Sequence, residues 1–440
     1  MIRMEGEITP KKIQKCIQRY EQENQARYAK FQSYYEGKND ILFRQMMGGN
    51  DVNNKVANNY AGYITDMATG YFIGRPVSYS GEEAFLAAVQ DIYNYNDEQD
   101  ENSEIAKQAS IKGRCYEVVY LDANDLGEDG KPRLRFNKIN AEEMLVAYDY
   151  GISPEMTCAI RWYEVEDEDG RKFRRIEVYT KERILTYDRK GGTLKKVRED
   201  QHFFKIVPVI EYLNNEEAQG DFEKVLTLID AYDKSCSDAL NNLEYFANCY
   251  MYLVNMKDTR EEEIRRMKEM RVLLFDEKGE AGFLTKDENS EGSENIANRL
   301  KSDIHKFAMV PDLSDEQFAA SASGIAMLYK LLGLEQLAVK KERKMKKGLQ
   351  RRLEIIANYL NLRGQHFDYR DIQMKFVRNI PVNEKENVEI VQLLQGILSK
   401  KTALSYLKMV DDVNQELQNI EEEKQAYADL DTLMIGEQDA

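Results

Sequence analysis

Apolar side chains recur along this chain with two different periods, and the change from one to the other divides it. Up to residue 35, Ile13, Cys16, Ile17 and Tyr20, then Tyr28, Phe31 and Tyr35, fall at helical spacing and predict a helix with a polar outer face. The run Glu36-Gly37-Lys38-Asn39-Asp40 breaks it. A second helix is expected over 53–71, stopping at Gly74-Arg75-Pro76, and Val77-Ser78-Tyr79-Ser80 alternates like a short strand. Between 113 and 212 the period falls to two. The stretches 116–121, 133–139, 157–165, 173–179 and 183–188 are rich in valine, isoleucine, tyrosine and phenylalanine. Turn clusters separate them, Gly127-Glu128-Asp129-Gly130, Asp167-Glu168-Asp169-Gly170 and Lys190-Gly191-Gly192, and an antiparallel sheet of hairpins is expected.

From 221 to 256 there is neither glycine nor proline, and Val225, Ile229, Tyr232, Cys236, Ala239, Leu243, Phe246, Tyr250 and Leu253 alternate steps of four and three. This heptad seam predicts a rod on the order of 50 Å long, which needs another rod or a ring of rods to cover it. A charged helical piece follows over 257–269, then a small hairpin formed by 271–275 and 282–285 around Asp276-Glu277-Lys278-Gly279. Ile296, Leu300, Ile304 and Phe307 mark another helix, stopped by Pro311. An exposed loop is expected over 312–323, a long helix over 324–363, a strand at 375–377 and a helical tail from 384.

Composition narrows the class. A chain of 440 residues suits two or three packed units. No apolar run approaches the ~20 residues that cross a bilayer, and the N-terminus lacks the apolar stretch of a secretory signal. The expected overall class is α+β, predominantly helical. The five cysteines are scattered, with no Cys-x-x-Cys pair, and the three histidines lie far from them, so reduced thiols and no metal site are expected. A net charge of −16 argues against tight gripping of nucleic acid but does not exclude a protein past which DNA must slide.

Motif tests mostly return structural readings. Gly127 to Lys131 lacks phosphate-loop spacing, and the start of a calcium loop at Asp122 places Leu126 and Arg133 where oxygen ligands are required. The acids Asp411-Asp412 and Glu421-Glu422-Glu423 fit a solvated face rather than a magnesium site, and Ser321 and Ser323 lack a nearby histidine. Neither a catalytic centre nor a cofactor is expected. The one cationic concentration is Lys340, Lys341, Arg343, Lys344, Lys346 and Lys347, with Arg351 and Arg352 beyond. It reads either as a phosphate contact or as a helix surface paired with acids, those of adjacent subunits included, and the second reading is favoured because acids outnumber these residues.

Several blocks, in order from about residue 20 to 415, resemble the portal proteins of long-tailed double-stranded DNA phages. They are Tyr34-Tyr35-Glu36-Gly37-Lys38-Asn39-Asp40, Asn53-Asn54-Lys55 through Asn58-Asn59-Tyr60, and the run from Asp66 to Val77. The stretch from Gly220 through Asp233 and that from Ser323 through Glu335 resemble the family as well. The resemblance implies a ring, usually of twelve subunits, at one capsid vertex. On it, 1–220 becomes the wing, 221–256 the first stem helix, 257–293 the clip and 294–311 the second stem helix. Residues 312–323 become the tunnel loop, with Asp312, Leu313, Ser314, Asp315, Glu316, Gln317 and Phe318 facing DNA. The stretch 324–383 becomes the long wing helix and return strand, and 384–440 the helical crown and tail.

The implied partners are further copies of the chain, duplex DNA without sequence preference, the terminase large subunit and head-tail adaptor at the clip, and capsid and scaffolding proteins at the wing. No membrane partner is implied. The implied location is the virion, after assembly in the bacterial cytoplasm. The competing readings are a ring or coiled-coil scaffold that never meets DNA and an enzyme acting on DNA ends.

Overall fold

The computed structural model of the protein describes residues 2–45, 52–127, 130–247, 251–254, 260–270, 280–283, 290–313 and 328–380, with 389, 391–393, 396–406, 413, 416–421 and 423–424 beyond them. Residues 1–379 form one compact unit and 380–440 a second. The architecture is mixed helix and sheet, as the two periods require.

Thr9 caps α1 (Pro10–Tyr35) by accepting the Lys12 amide, and Pro10 occupies the first turn, where its missing N–H costs nothing. The buried face of α1, Ile13, Ile17, Tyr20 and Tyr28, lies on a sheet, with Tyr20 edge-on to Trp162 at 5.7 Å. The second helix, α2 (Tyr60–Ile73), begins seven residues later than the periodicity suggested. The Asn59 side chain accepts the Gly62 amide and caps the helix there, which leaves the residues before it extended. Strand β2 (Ser78–Ser80) follows, then two helices the periodicity did not reveal, α3 (Glu83–Tyr95) and α4 (Glu98–Lys112). Helix α4 is surrounded: Glu98, Asn102, Ser110 and Lys112 are buried beside Ile105 and Ile111, so no polar face marks it as a helix. Gly113, at φ 83°, ends it in the left-handed conformation that glycine tolerates.

The expected single sheet of hairpins is corrected to two sheets. One runs β10 (Val209–Leu213), β3 (Arg114–Leu126), β4 (Pro132–Ile139), all antiparallel. The other runs β1 (Ile2–Arg3), β5 (Met144–Tyr148), β6 (Met156–Glu166), β7 (Lys172–Tyr179), β8 (Arg183–Lys190), β9 (Thr193–Gln201), with β1 parallel to β5. Three strands lacked a period-two signal for physical reasons. Met144-Leu145-Val146-Ala147 is buried on both faces, Val209-Ile210 lies under the last long helix, and β9 is a mostly exposed, charged edge held by backbone pairing.

The rod expected over 221–256 is shorter. After a tight turn at Glu223–Val225, α5 spans Leu226–Ala247, about 33 Å at helical rise, and Met251–Val254 is then strand β11. Its antiparallel partner is β12 (Glu280–Phe283), a pairing of 251–254 with 280–283 that the periodicity did not reveal, while the expected strand at 271–275 falls outside the described residues. A four-residue apolar run satisfies either period, and pairing with β12 decides it. Residues 271–279 lie outside the described residues. Between the strands runs α6 (Glu261–Met270), and after them α7 (Ser290–Ala308) packs against α5, its end meeting the turn that starts α5. The long helix α8 (Leu332–Asn361) packs on β10 and α2, and β13 (Gln373–Lys375) pairs with β2. In the second unit α9 (Lys400–Tyr406) is described, while most of the expected helical tail lies outside the described residues.

At the centre of the first unit, α8 buries Arg352 completely. Its guanidinium forks onto Glu117 of β3 at 2.9 and 2.6 Å and reaches Asn102 of α4 at 2.9 Å. Tyr212 donates to the same Glu117 at 2.9 Å, and the Phe136 ring lies 4.5 Å from the guanidinium carbon. Such a charge is tolerated in the interior because every polar atom is met. One turn earlier, Gly348 lets α8 approach Tyr212, where an added Cβ would overlap the buried ring.

Gly348→Val is therefore expected to destabilise the protein by about 1–3 kcal/mol through overpacking. Gly70→Ala, at a helical position with open space around it, is expected to be neutral or stabilising by up to about 1 kcal/mol. Thermal unfolding of the two variants checks the contrast, which a flexible α8–β10 contact would erase.

Candidate functional site: the paired helices and the start of the following loop

Helix α5 presents two unlike faces. On one, Asp233, Ser237 and Asn241 recur every four residues and are all buried, although all three are polar. The extended segment 52–59 lies along them. Asp233 accepts the Asn58 amide at 2.9 Å, Ser237 Oγ accepts the Val56 amide at 3.0 Å, and Asn241 Oδ1 accepts the Asn54 amide at 2.7 Å. Two residues of extended chain rise about 6.7 Å and four of helix about 6 Å, so alternate amides meet successive turns in register. Asn39 and Asn58 side chains add donors to Asp233 at 2.6 and 2.8 Å. Burial nevertheless holds the Asp233 carboxyl above the ordinary carboxylate value, against the lowering effect of those donors. At the flanks Arg44 pairs with Asp238 at 2.6 Å, and Tyr34 donates to Asp230.

The heptad seam lies on the other side and divides along its length. Val225 and Ile229 are fully buried, Tyr232, Cys236 and Ala239 are half-buried, and Leu243 is 58% exposed. The side chains of Phe246, Tyr250 and Leu253 lie outside the described residues, and residues 251–254 are strand rather than seam. Further apolar residues stand exposed on the pair, Leu240 on α5 and Ile296 and Phe307 on α7.

The end of α7 is pinned by residues that the sequence did not single out. The His305 ring sits between Tyr60 and Tyr63 at 5.7 and 5.6 Å, and Tyr60 also meets Tyr232 of α5. The Tyr63 hydroxyl donates to the Pro311 carbonyl at 2.8 Å and accepts the Leu313 amide at 3.2 Å. Burial raises the Tyr63 hydroxyl above its usual range, so it stays protonated and able to donate. The Asp312 carboxylate meets Lys301 of α7 at 2.7 Å, with His305 at 3.9 Å. Leu313 remains 42% exposed, and Ser314, Asp315, Glu316, Gln317 and Phe318 lie outside the described residues. Helix α2 also reaches the chain beyond the loop. Tyr71 donates to Glu335 at 2.7 Å, and Arg378 pairs with Glu335 and Glu342 at 3.0 and 2.7 Å.

The basic run divides by helical phase. Lys341 is buried on Asp221 and Asn214, at 2.5 and 2.7 Å, and Lys344 pairs with Glu216. Arg351 donates to the Val207 and Val209 carbonyls. Lys340, Arg343, Lys346 and Lys347 face outward. Burial pushes the Cys115 and Cys158 thiols up to about 12, which leaves them inert at neutral pH. Among the described residues no group of three histidine, cysteine or acidic side chains converges as a metal site, and no helix is long and apolar enough to cross a membrane.

The segment 52–59 offered a signal that went unused: four asparagines in seven residues, opposite polar positions at helical spacing in 233–241. The His305 clamp offered none, since lone aromatic residues are ordinary core members.

The family described as "Phage portal protein, SPP1 Gp6-like" matches residues 13–429. The portal protein of Bacillus phage SPP1 is 26% identical over 454 aligned positions, covering 98% of this chain and 87% of that protein. The portal protein of Clostridium phage phiCD119 is 26% identical over 421 positions, covering 90% and 92%. The chain therefore belongs to the SPP1 Gp6-like family of phage portal proteins, structural and non-enzymatic components of the virion that serve DNA packaging.

Proposed function

We propose that this chain is one subunit of a closed ring, of twelve copies as the family resemblance implies, set at one vertex of the capsid. Double-stranded DNA passes through its channel during packaging and again on ejection. The single observation that supports this reading is the α5–α7 pair. Its polar side is fastened within the subunit by segment 52–59, while Leu240, Leu243, Ile296 and Phe307 are left exposed on it. Exposed apolar positions on a rod of this kind need a neighbour, and a repeated head-to-tail neighbour closes a ring.

On this reading α5 and α7 are the two stem helices. The β11–β12 hairpin with α6 belongs to the clip, which docks the terminase large subunit during packaging and the head-tail adaptor afterwards. The two sheets and α1 to α4 make the wing that meets capsid and scaffolding proteins, and the residues from 384 onward make the crown. The tunnel loop follows Asp312. Lys301 neutralises Asp312, and exposed Leu313 offers the duplex an apolar contact without a salt-dependent grip. The overall charge of −16 suits a wall that lets DNA slide. No cofactor or catalytic step enters, and assembly takes place in the host cytoplasm before the ring becomes part of the virion.

Negative-stain microscopy of the purified protein is expected to show rings with a central hole of at least about 20 Å, the width of a duplex. Monomers or closed bundles under all assembly conditions would overturn the reading, and rings with a narrower hole would favour a scaffold that never meets DNA. Deleting residues 315–318 is expected to leave ring formation intact and to lower the amount of packaged DNA. Unchanged packaging removes the loop from the mechanism.

A further inference from the structure

The exposed half of the basic run carries its charge to the surface of the subunit. Lys340, Arg343, Lys346 and Lys347 form an outward stripe on α8, and among the described residues none of them makes an ion pair. In a chain carrying sixteen excess negative charges, four exposed cations on one helical face are a local reversal of sign, with only Lys347 within electrostatic reach of an acid, Glu216, among the described residues.

A surface of the opposite kind lies elsewhere on the same unit. Between α1, the turn at 142–143 and the adjoining ends of β6 and β7 is a cavity of about 500 Å³. Its floor is aromatic, built from Tyr20, Tyr28 and Trp162, all buried. Its walls carry Glu21, Glu142, Glu143 and Glu164. Arg174 takes Glu21 at 2.8 Å and Lys112 takes one oxygen of Glu142 at 2.6 Å, but the other oxygen of Glu142 is buried without a hydrogen-bond partner. Among the described residues no ion pair engages Glu143 or Glu164. The groove suits long cationic side chains, whose charged heads meet its carboxylates.

We propose that the basic stripe of α8 in one copy seats in this acidic groove of the next copy, giving the ring an electrostatic contact separate from the apolar faces of α5 and α7. The proposal rests on the ring reading above. Two patches that differ in sign and shape can repeat head to tail from copy to copy, which is the arrangement that closes a ring. The contact also offsets the mutual repulsion of subunits that are each strongly acidic, and it fixes their register.

Charge reversal in the full chain tests this. Arg343→Glu with Lys347→Glu forms the first variant and Glu143→Lys with Glu164→Lys the second, each followed by sedimentation across a range of protein and salt concentrations. Each is expected to raise the concentration needed for ring assembly by about tenfold or more, with thermal unfolding of the dissociated subunit unchanged. An equimolar mixture of the two is expected to recover rings, because alternating copies place every reversed stripe against a reversed groove. Should either reversed chain fail to fold, Arg343→Gln with Lys347→Gln and Glu143→Gln with Glu164→Gln replace them, with smaller shifts of the same sign. Folded variants that assemble like the parent, or a mixture that recovers nothing, would overturn the pairing while leaving the ring intact. A stripe variant that assembles normally but packages less DNA would overturn it in favour of phosphate contact. Absence of rings from the unmutated protein would remove the ring reading itself.

Discussion

Everything that places the candidate channel element follows from three hydrogen bonds between side chains of a helix and the backbone of an extended strap. Asp233, Ser237 and Asn241 stand one turn apart on α5 and accept the amides of Asn58, Val56 and Asn54. An extended segment beside a helix has no ladder partner, and its buried amides would each cost free energy if left unmet. The near match between two extended residues and one helical turn lets the helix meet them. The strap then ends at Asn59, whose cap starts α2, and α2 presents Tyr60 and Tyr63 to His305 and to the chain leaving α7. One contact thus orients α5 and sets where the following loop departs. It also spends the polar face formed by Asp233, Ser237 and Asn241 inside the subunit, while Leu240 and Leu243 stand exposed on α5.

The same economy of polar groups governs the rest of the first unit. Arg352 with Glu117 and Asn102, and Lys341 with Asp221 and Asn214, tie α8 to both ends of the β3–β10 region from the inside. Removing one partner from such a cluster leaves a buried charge unmet, so these pairs specify position more than they add stability. Cations consumed in this way do not reach the surface.

The sequence made the periodic parts of this fold legible and concealed the parts held by paired polar groups. Helix α1, most of the strands from β3 to β8, and the existence of α5, α7 and α8 followed from spacing, because each carries apolar residues at the period of its element. Helix α4 did not, because Glu98, Asn102 and Lys112 are buried with their partners and erase its period. The end of α5 was misplaced because Met251-Tyr252-Leu253-Val254 continues a heptad on paper while pairing with β12 in space. Asp312 was legible as an acid near the loop, but its neutralisation by Lys301 depends on the fold of α7 over α2. Family membership was legible in order-preserving blocks, several of which turn out to be the strap, its cap and the cluster around Asp221 and Asp233.

The central claim is that α5 is fastened within each subunit by its polar face and covered by a neighbour on its apolar one. Hydrogen–deuterium exchange of the assembled ring against the dissociated subunit tests it most directly. The account predicts slow exchange at Asn54, Val56 and Asn58 in both states, and exchange over residues 239–247 that slows by about tenfold or more on assembly. Equal exchange over 239–247 in ring and free subunit, or rapid exchange at the three strap amides, would contradict it.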